Sequence, residues 1–324
     1  MFSQSFLRPT NLALDALQII PNGLAELLRD LGWKDLDSWW SAWQKRGGLQ
    51  LARSAWPAGI QDEWLLGIAF PLLSQVEDLL NKSGRNLLGL SALPGCGKTT
   101  LCDWLVQASA DLGWSIAFLS IDDFYWPGEE LDRSMLGNPW GVPRALPGSH
   151  DLTLMAATLD QWRETGELHA PRFDKSLRQG RGDRSGWVRS TPDLVIFEGW
   201  FVGVHNFATE LSCETASSHA MCPEELAYRQ NLVELLPDYA PIWARIDRLW
   251  HLRAPSGASS RLWKRQQVAA QEHSTGVHIP ESDVQNFVRM IETALPSSWM
   301  RNLHQSNVVI DLTKLRVVRE ITLK

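Results

Sequence analysis

The chain has 324 residues, of which 44 % are hydrophobic and 21 % charged, with a formal net charge of −6. That is the make-up of an ordinary globular protein with enough chain to bury a sizeable core. The acidic balance argues against nucleic acid or an anionic membrane as a partner, so an anionic small molecule has to be met by a local basic cluster. The four cysteines, Cys96, Cys102, Cys213 and Cys222, have neither CxxC nor metal-ligand spacing. The longest apolar run, residues 64–73, is too short to span a bilayer. The first residues lack the basic, apolar and cleavage-site pattern of a secretory leader. A cytoplasmic protein with reduced thiols is therefore expected.

Residues 1–84 read as a helical extension ahead of a second unit over 85–324. Leu14, Leu17 and Ile20 recur near helical spacing, and Leu24, Leu27, Leu28 and Leu31 repeat it more sharply. Trp39, Trp40 and Trp43 cluster on the next predicted helix, with Ser38 as its expected cap. Aromatic side chains mostly supply buried area, so the tryptophans are expected to pack against the body of the protein rather than form a docking surface. A further helix over residues 62–81 leads to the first strand.

Residues 87–101, LLGLSALPGCGKTTL, are the centre of the chain. The short apolar run at 87–90 reads as a buried strand, residues 92–97 as a loop broken by Gly and Pro, and Lys98, Thr99 and Thr100 as the opening of a helix. Strand, Gly-rich loop and helix in this order form a phosphate-binding P-loop, because loop and helix N–H groups converge on anionic oxygens. Its residues are Ala92, Leu93, Pro94, Gly95, Cys96, Gly97, Lys98, Thr99 and Thr100. Lys98 is expected at the β- and γ-phosphates and the Thr99 hydroxyl at Mg²⁺. Ala92 occupies the place of the motif's first Gly, which requires that its φ stay negative. Cys96 reads as a small loop residue without a redox role.

Residues 115–121 form a second apolar run ending in Asp122-Asp123-Phe124-Tyr125. Carboxylates at the carboxyl end of a parallel strand face the ligand crevice, where one can orient an acceptor hydroxyl or take its proton. Residues 129–149 read as a polar loop ending in PGSHD, and residues 152–162 as a helix. Taken alone, His150 reads as structural. Residues 172–189 hold Arg172, Lys175, Arg178, Arg181, Arg184 and Arg189, and their glycines predict a loop able to clamp carboxylate or phosphate oxygens. Residues 193–197 form a third strand with Glu198 at its end, the Walker-B position beside Mg²⁺. A fourth strand is expected at 246–252 and a helix at 260–272. That helix carries Arg261, Lys264 and Arg265 as candidate lid cations. Another helix over 283–293, a strand over 307–312 and an edge strand in 319–324 complete the chain.

With these pieces placed, the sequence resembles the D-glycerate 3-kinase family of plants, fungi and cyanobacteria across roughly residues 86–300. The motifs that carry the resemblance are LSALPGCGKTT, SIDDFY, NP…R…PGSHD, PRFDKS…GRGDR and EGW, in that order. The wider relatives are uridine kinase, phosphoribulokinase and pantothenate kinase. The resemblance implies an α/β fold with a parallel sheet flanked by helices, and ATP and Mg²⁺ as cofactors. It implies Asp122 as base, Glu198 at the metal, and D-glycerate as acceptor. It further implies substrate contacts among Asp123, Tyr125, Arg144, His150, Arg172, Lys175, Arg178 and Arg181. Lys264 stands where the family usually has Arg, residues 205–225 have no clear counterpart, and the Trp-rich first 84 residues look like a cyanobacterial-type extension. The competing readings are a kinase for uridine or a pantothenate-like acceptor, and a P-loop switch or transport ATPase. Neither an [NT]KxD nor an LSGGQ-like stretch supports the latter pair.

Overall fold

The computed structural model describes residues 20–48, 50–51, 62–205, 221–256, 258–275, 279–303 and 305–324. The expected helical repeat at Leu14 and Leu17, Cys213 and most of 205–225 lie outside the described residues. A six-stranded sheet runs in the order β2-β5-β1-β6-β7-β8. Its strands are β1 (Asn86–Ala92), β2 (Ile116–Ser120), β5 (Leu194–Gly199), β6 (Arg248–Arg253), β7 (Val308–Leu312) and β8 (Val318–Leu323). Neighbouring strands are parallel except for β8, which pairs antiparallel with β7 at the edge. All five predicted parallel strands are present, shifted by at most a few residues.

Period-two alternation along these strands feeds two apolar cores, one on each face of the sheet. Leu88, Leu90, Leu194, Ile196, Trp250 and Leu252 bury into one. Leu87, Val195, Phe197 and Leu249 bury into the other. The first core is closed by α1 (Leu24–Asp30), α2 (Leu36–Lys45), α3 (Phe70–Leu80) and α4 (Lys98–Asp111). The second is closed by α6 (Leu152–Thr165), α7 (Pro223–Leu235) and α9 (Glu281–Thr293), with Leu131 of α5 (Gly128–Ser134) in the same core and α8 (Ala258–Thr275) paired with α9.

Trp39, Trp40 and Trp43 are buried in the first core. The indole N–H groups of Trp39 and Trp43 both donate to Ser74 Oγ, at 2.9 and 3.0 Å, and that hydroxyl donates to the Phe70 carbonyl. Trp104 of α4 donates to the Leu51 carbonyl, and Ile321 N–H of β8 donates to the Asn22 carbonyl. The described residues before 84 are thus sewn to the sheet edge and to the helix that follows the phosphate loop.

Three local readings change. The N-cap of α2 is Asp35, and Ser38 is its reciprocal partner three residues on. Two polar groups each satisfy the other's backbone N–H, so either residue carries the cap signal. Part of the predicted loop 129–149 is helical, as α5. The basic segment is a hairpin rather than a loop, with β3 (Leu168–Asp174) pairing antiparallel with β4 (Asp183–Ser190). Its glycines punctuate the connection: Gly180 and Gly182 have φ of 86° and 85°.

Candidate active site

The carboxyl ends of β2, β5 and β1 lie side by side, and a cavity of about 570 Å³ opens above them. This is where an open parallel sheet binds ligands. Ala92 ends β1 within the sheet, in register with Leu252, so the missing Gly costs nothing there. Gly95 and Gly97 then adopt φ of 76° and 106°. A Cβ on Gly95 would lie 2.8 Å from Trp263 Cβ, so only Gly lets the loop approach α8 this closely. Gly97 caps α4 without a side-chain acceptor, and Gly97, Lys98, Thr99 and Thr100 line the cavity. The first-turn N–H groups of a helix have no intrahelical partner, so this end is suited to an anion.

Lys98 Nζ donates to the Ala92 carbonyl at 2.6 Å and lies 3.8 Å from Glu198. Glu198 pairs with Leu90 on one side and Ser120 on the other, which centres it between the loop and β2. Its second oxygen accepts from Ser120 Oγ at 2.6 Å. Burial pushes its carboxyl above the usual range, against the opposing pull of Lys98. Burial also pushes the Cys96 thiol up to about 11, so at neutral pH it is an inert thiol.

The two adjacent aspartates separate cleanly. Asp123 is buried, accepts from Ser120 N–H and Phe173 N–H at 3.3 Å, and pairs with Arg172 at 3.0 Å. It fastens the β3–β4 hairpin to the end of β2 and does not line the cavity. Asp122 does line it, accepting from Tyr125 OH and from Lys175 Nζ, each at 2.6 Å. Burial pushes the Asp122 carboxyl up, but the Lys175 ammonium and the two hydrogen bonds more than offset this and hold it well below the usual carboxylate range.

Tyr125, Arg144 and Lys175 reach the cavity. Arg144 is steadied by the carbonyls of Gly180 and Arg181 at 2.7 and 3.0 Å. His150 lies behind them, its Nδ1 2.8 Å from Tyr239 OH and its ring stacked on Tyr125 at 4.6 Å. Burial lowers its pKa to about 4, so it is a neutral support for Tyr125. Arg172 is engaged by Asp123, while Arg178 and Arg181 converge on Asp132, away from the cavity lining.

The predicted lid cations also divide. Arg261 and Arg265 tie α8 to α9 through Glu292 and Glu281. Lys264 lines the cavity, with Nζ 4.5 Å from the centre of the Phe287 ring. Several lining residues carried no sequence signal as site residues: Trp64, Phe287, Leu315 and Arg316.

The fold and this site define a P-loop kinase, and kinases of this fold use ATP. No family model matches the chain. Over 214 residues, covering 62 % of this chain and 76 % of the relative, it is 32 % identical to the uncharacterized kinase mug58 of Schizosaccharomyces pombe. It is 38 % identical over 132 residues to the chloroplastic D-glycerate 3-kinase of Arabidopsis thaliana, a match covering 36 % of this chain and 28 % of that protein. Among solved structures, the D-glycerate 3-kinase of Cryptococcus neoformans aligns with a TM-score of 0.66. That alignment covers 82 % of this chain and all of the other, at 22 % identity, and speaks for the fold alone. The chain belongs to the P-loop kinase family in which D-glycerate 3-kinase is found.

Proposed function

We propose that this kinase phosphorylates a small hydroxy acid, D-glycerate, on its 3-hydroxyl. The observation that carries the reading is the acceptor end of the cavity. Arg144, Lys175 and Lys264 gather there around the Asp122 carboxylate. A carboxylate-bearing acceptor is neutralised by such cations, whereas a nucleoside offers them nothing to pair with. The named Arabidopsis relative supports the same reading.

In this scheme the loop N–H groups and Lys98 hold the donor phosphates. Asp122 orients the acceptor hydroxyl and takes its proton. A base with so low a pKa is adequate because a loose phosphoryl-transfer transition state asks little proton transfer until late. The acceptor carboxylate draws on Lys175, which releases part of the hold on Asp122. Thr99 and Glu198 supply an all-oxygen set that fits Mg²⁺. Among the described residues no cluster of three or more His, Cys, Asp or Glu forms a metal cage, which suits an ion that arrives with the nucleotide. When bound, the ion neutralises charge on the phosphates. The described residues before 84 are best treated as part of the kinase body.

An acceptor panel tests the substrate. With Mg-ATP, ADP release is expected to be fastest with D-glycerate and to give a 3-phospho product. A preference for uridine or pantothenate overturns the assignment, and hydrolysis indifferent to every acceptor points instead to an ATPase switch.

Lys264 makes a second expectation. Burial, reinforced by Lys175 and Arg144, lowers its pKa to about 8. As pH rises through that value the free enzyme loses a cation that meets anionic ligands, so kcat/KM should fall above about pH 8. The kcat profile should fall later, since bound anions favour the protonated amine. Lys264→Arg should move the alkaline limb of kcat/KM upward, because a guanidinium keeps its proton. An unmoved limb would detach Lys264 from the site.

A further inference from the structure

The turn between β7 and β8 carries a cation that neither the motifs nor the proposed chemistry uses. Arg316 Nε and Nη2 both donate to the Gly95 carbonyl, at 3.0 and 2.8 Å. Its Nη1 donates to Gln266 Oε1 of α8 at 2.7 Å, and its guanidinium lies 5.2 Å from the centre of the Trp263 ring. The same turn also accepts twice through its backbone carbonyls: the Trp263 indole donates to the Lys314 carbonyl at 2.9 Å, and the Trp64 indole to the Arg316 carbonyl. One turn therefore joins the phosphate loop, the lid helix and the helical segment ahead of β1.

The backbone makes the arrangement more pointed. Arg316 has φ of 63°, a left-handed conformation that a side-chain-bearing residue adopts only at a cost. A tight turn ordinarily places Gly or Asn there, so the guanidinium is retained against local preference. Cys96 N–H donates to the Leu93 carbonyl at 3.2 Å, while the carbonyl of the same Gly95–Cys96 peptide is taken by Arg316. The peptide is gripped at both ends. Its carbonyl is turned onto Arg316, which favours a loop that presents N–H groups rather than oxygen to an anion.

We infer that Arg316 is a positioning residue: by gripping the Gly95 carbonyl and Gln266 together it holds the phosphate loop in its anion-binding form and keeps the lid helix docked on it. The inference rests on the kinase reading above. It concerns the polyphosphate of the donor nucleotide, and it makes no use of the acceptor.

Calorimetric binding of ADP and of inorganic tripolyphosphate, which has no nucleoside, tests it on the full chain. In Arg316→Gly both ligands should bind about 10- to 100-fold more weakly and by similar factors, the scale of lost charge-assisted hydrogen bonds. The melting temperature should change by only a few degrees, because Gly relieves the left-handed backbone. Arg316→Lys should remain weak, since one ammonium cannot replace a fork that serves two acceptors. Weakened ADP binding with unchanged tripolyphosphate binding would make Arg316 a contact to the nucleoside and overturn the inference. Full rescue by Arg316→Lys, or unchanged binding in both variants, overturns it as well. If the unmodified protein binds neither ligand, the kinase reading itself fails.

Discussion

Asp122→Asn is expected to lower kcat by about 10²- to 10⁴-fold, the range of general-base assistance, with ADP affinity nearly unchanged. Asn keeps the shape of the side chain and can still accept from Tyr125 OH or Lys175, but it carries no charge and takes no proton. ADP affinity is spared because Asp122 sits at the end of β2 with Tyr125 and Lys175, whereas the phosphate loop follows β1. Asp123→Asn should behave differently. Its carboxylate joins the hairpin to β2 through Arg172 and Phe173, so the loss should appear as about 1–3 kcal/mol of stability, with a smaller change in kcat. A side-by-side measurement in which Asp123 costs more turnover than Asp122 would reverse their roles. A large loss of ADP affinity at Asp122 would move that residue to the nucleotide.

Lys98→Ala should reduce turnover by at least 10²-fold, the scale of removing one preorganised electrostatic contact at a transferring group, and should weaken ATP binding as well. Unlike Asp122, Lys98 opens α4 among the uncapped N–H groups, so ground-state binding and turnover fall together. The change also takes a cation from buried Glu198, which keeps the Ser120 hydrogen bond. A carboxyl already raised by burial is then raised further. Circular dichroism should report an intact fold. Near-normal turnover in this variant would remove the loop from the mechanism.

Sequence alone was sufficient for the strand–loop–helix that begins at β1, the parallel strands and the acidic ends of β2 and β5. Each of these is a local signal: apolar runs of strand length, glycines where φ must be positive, and polar residues directly after a strand. Strand order, and with it the closeness of Lys98, Asp122 and Glu198, came from pairing between segments up to about a hundred residues apart. The choice between Asp122 and Asp123 was not legible, since the chain turns at that point and alternation stops informing. It was decided by what each carboxylate meets in space, Lys175 and Tyr125 for one, Arg172 and the β3 backbone for the other.

The basic segment shows the same limit. A count of cations does not distinguish Lys175, which faces the cavity, from the arginines that a distant Asp132 engages. Its hairpin form depends on strand pairing across the glycine-punctuated turn, which glycine content alone describes equally well as a loop. Arg316 left no trace in the sequence, being one arginine in a five-residue connection. Its place against Gly95 exists only because β7 and β8 bring that turn over the phosphate loop. Local propensity is written residue by residue. The partner of a charged side chain is set by the fold, because charges act over distances in space that the chain order does not record.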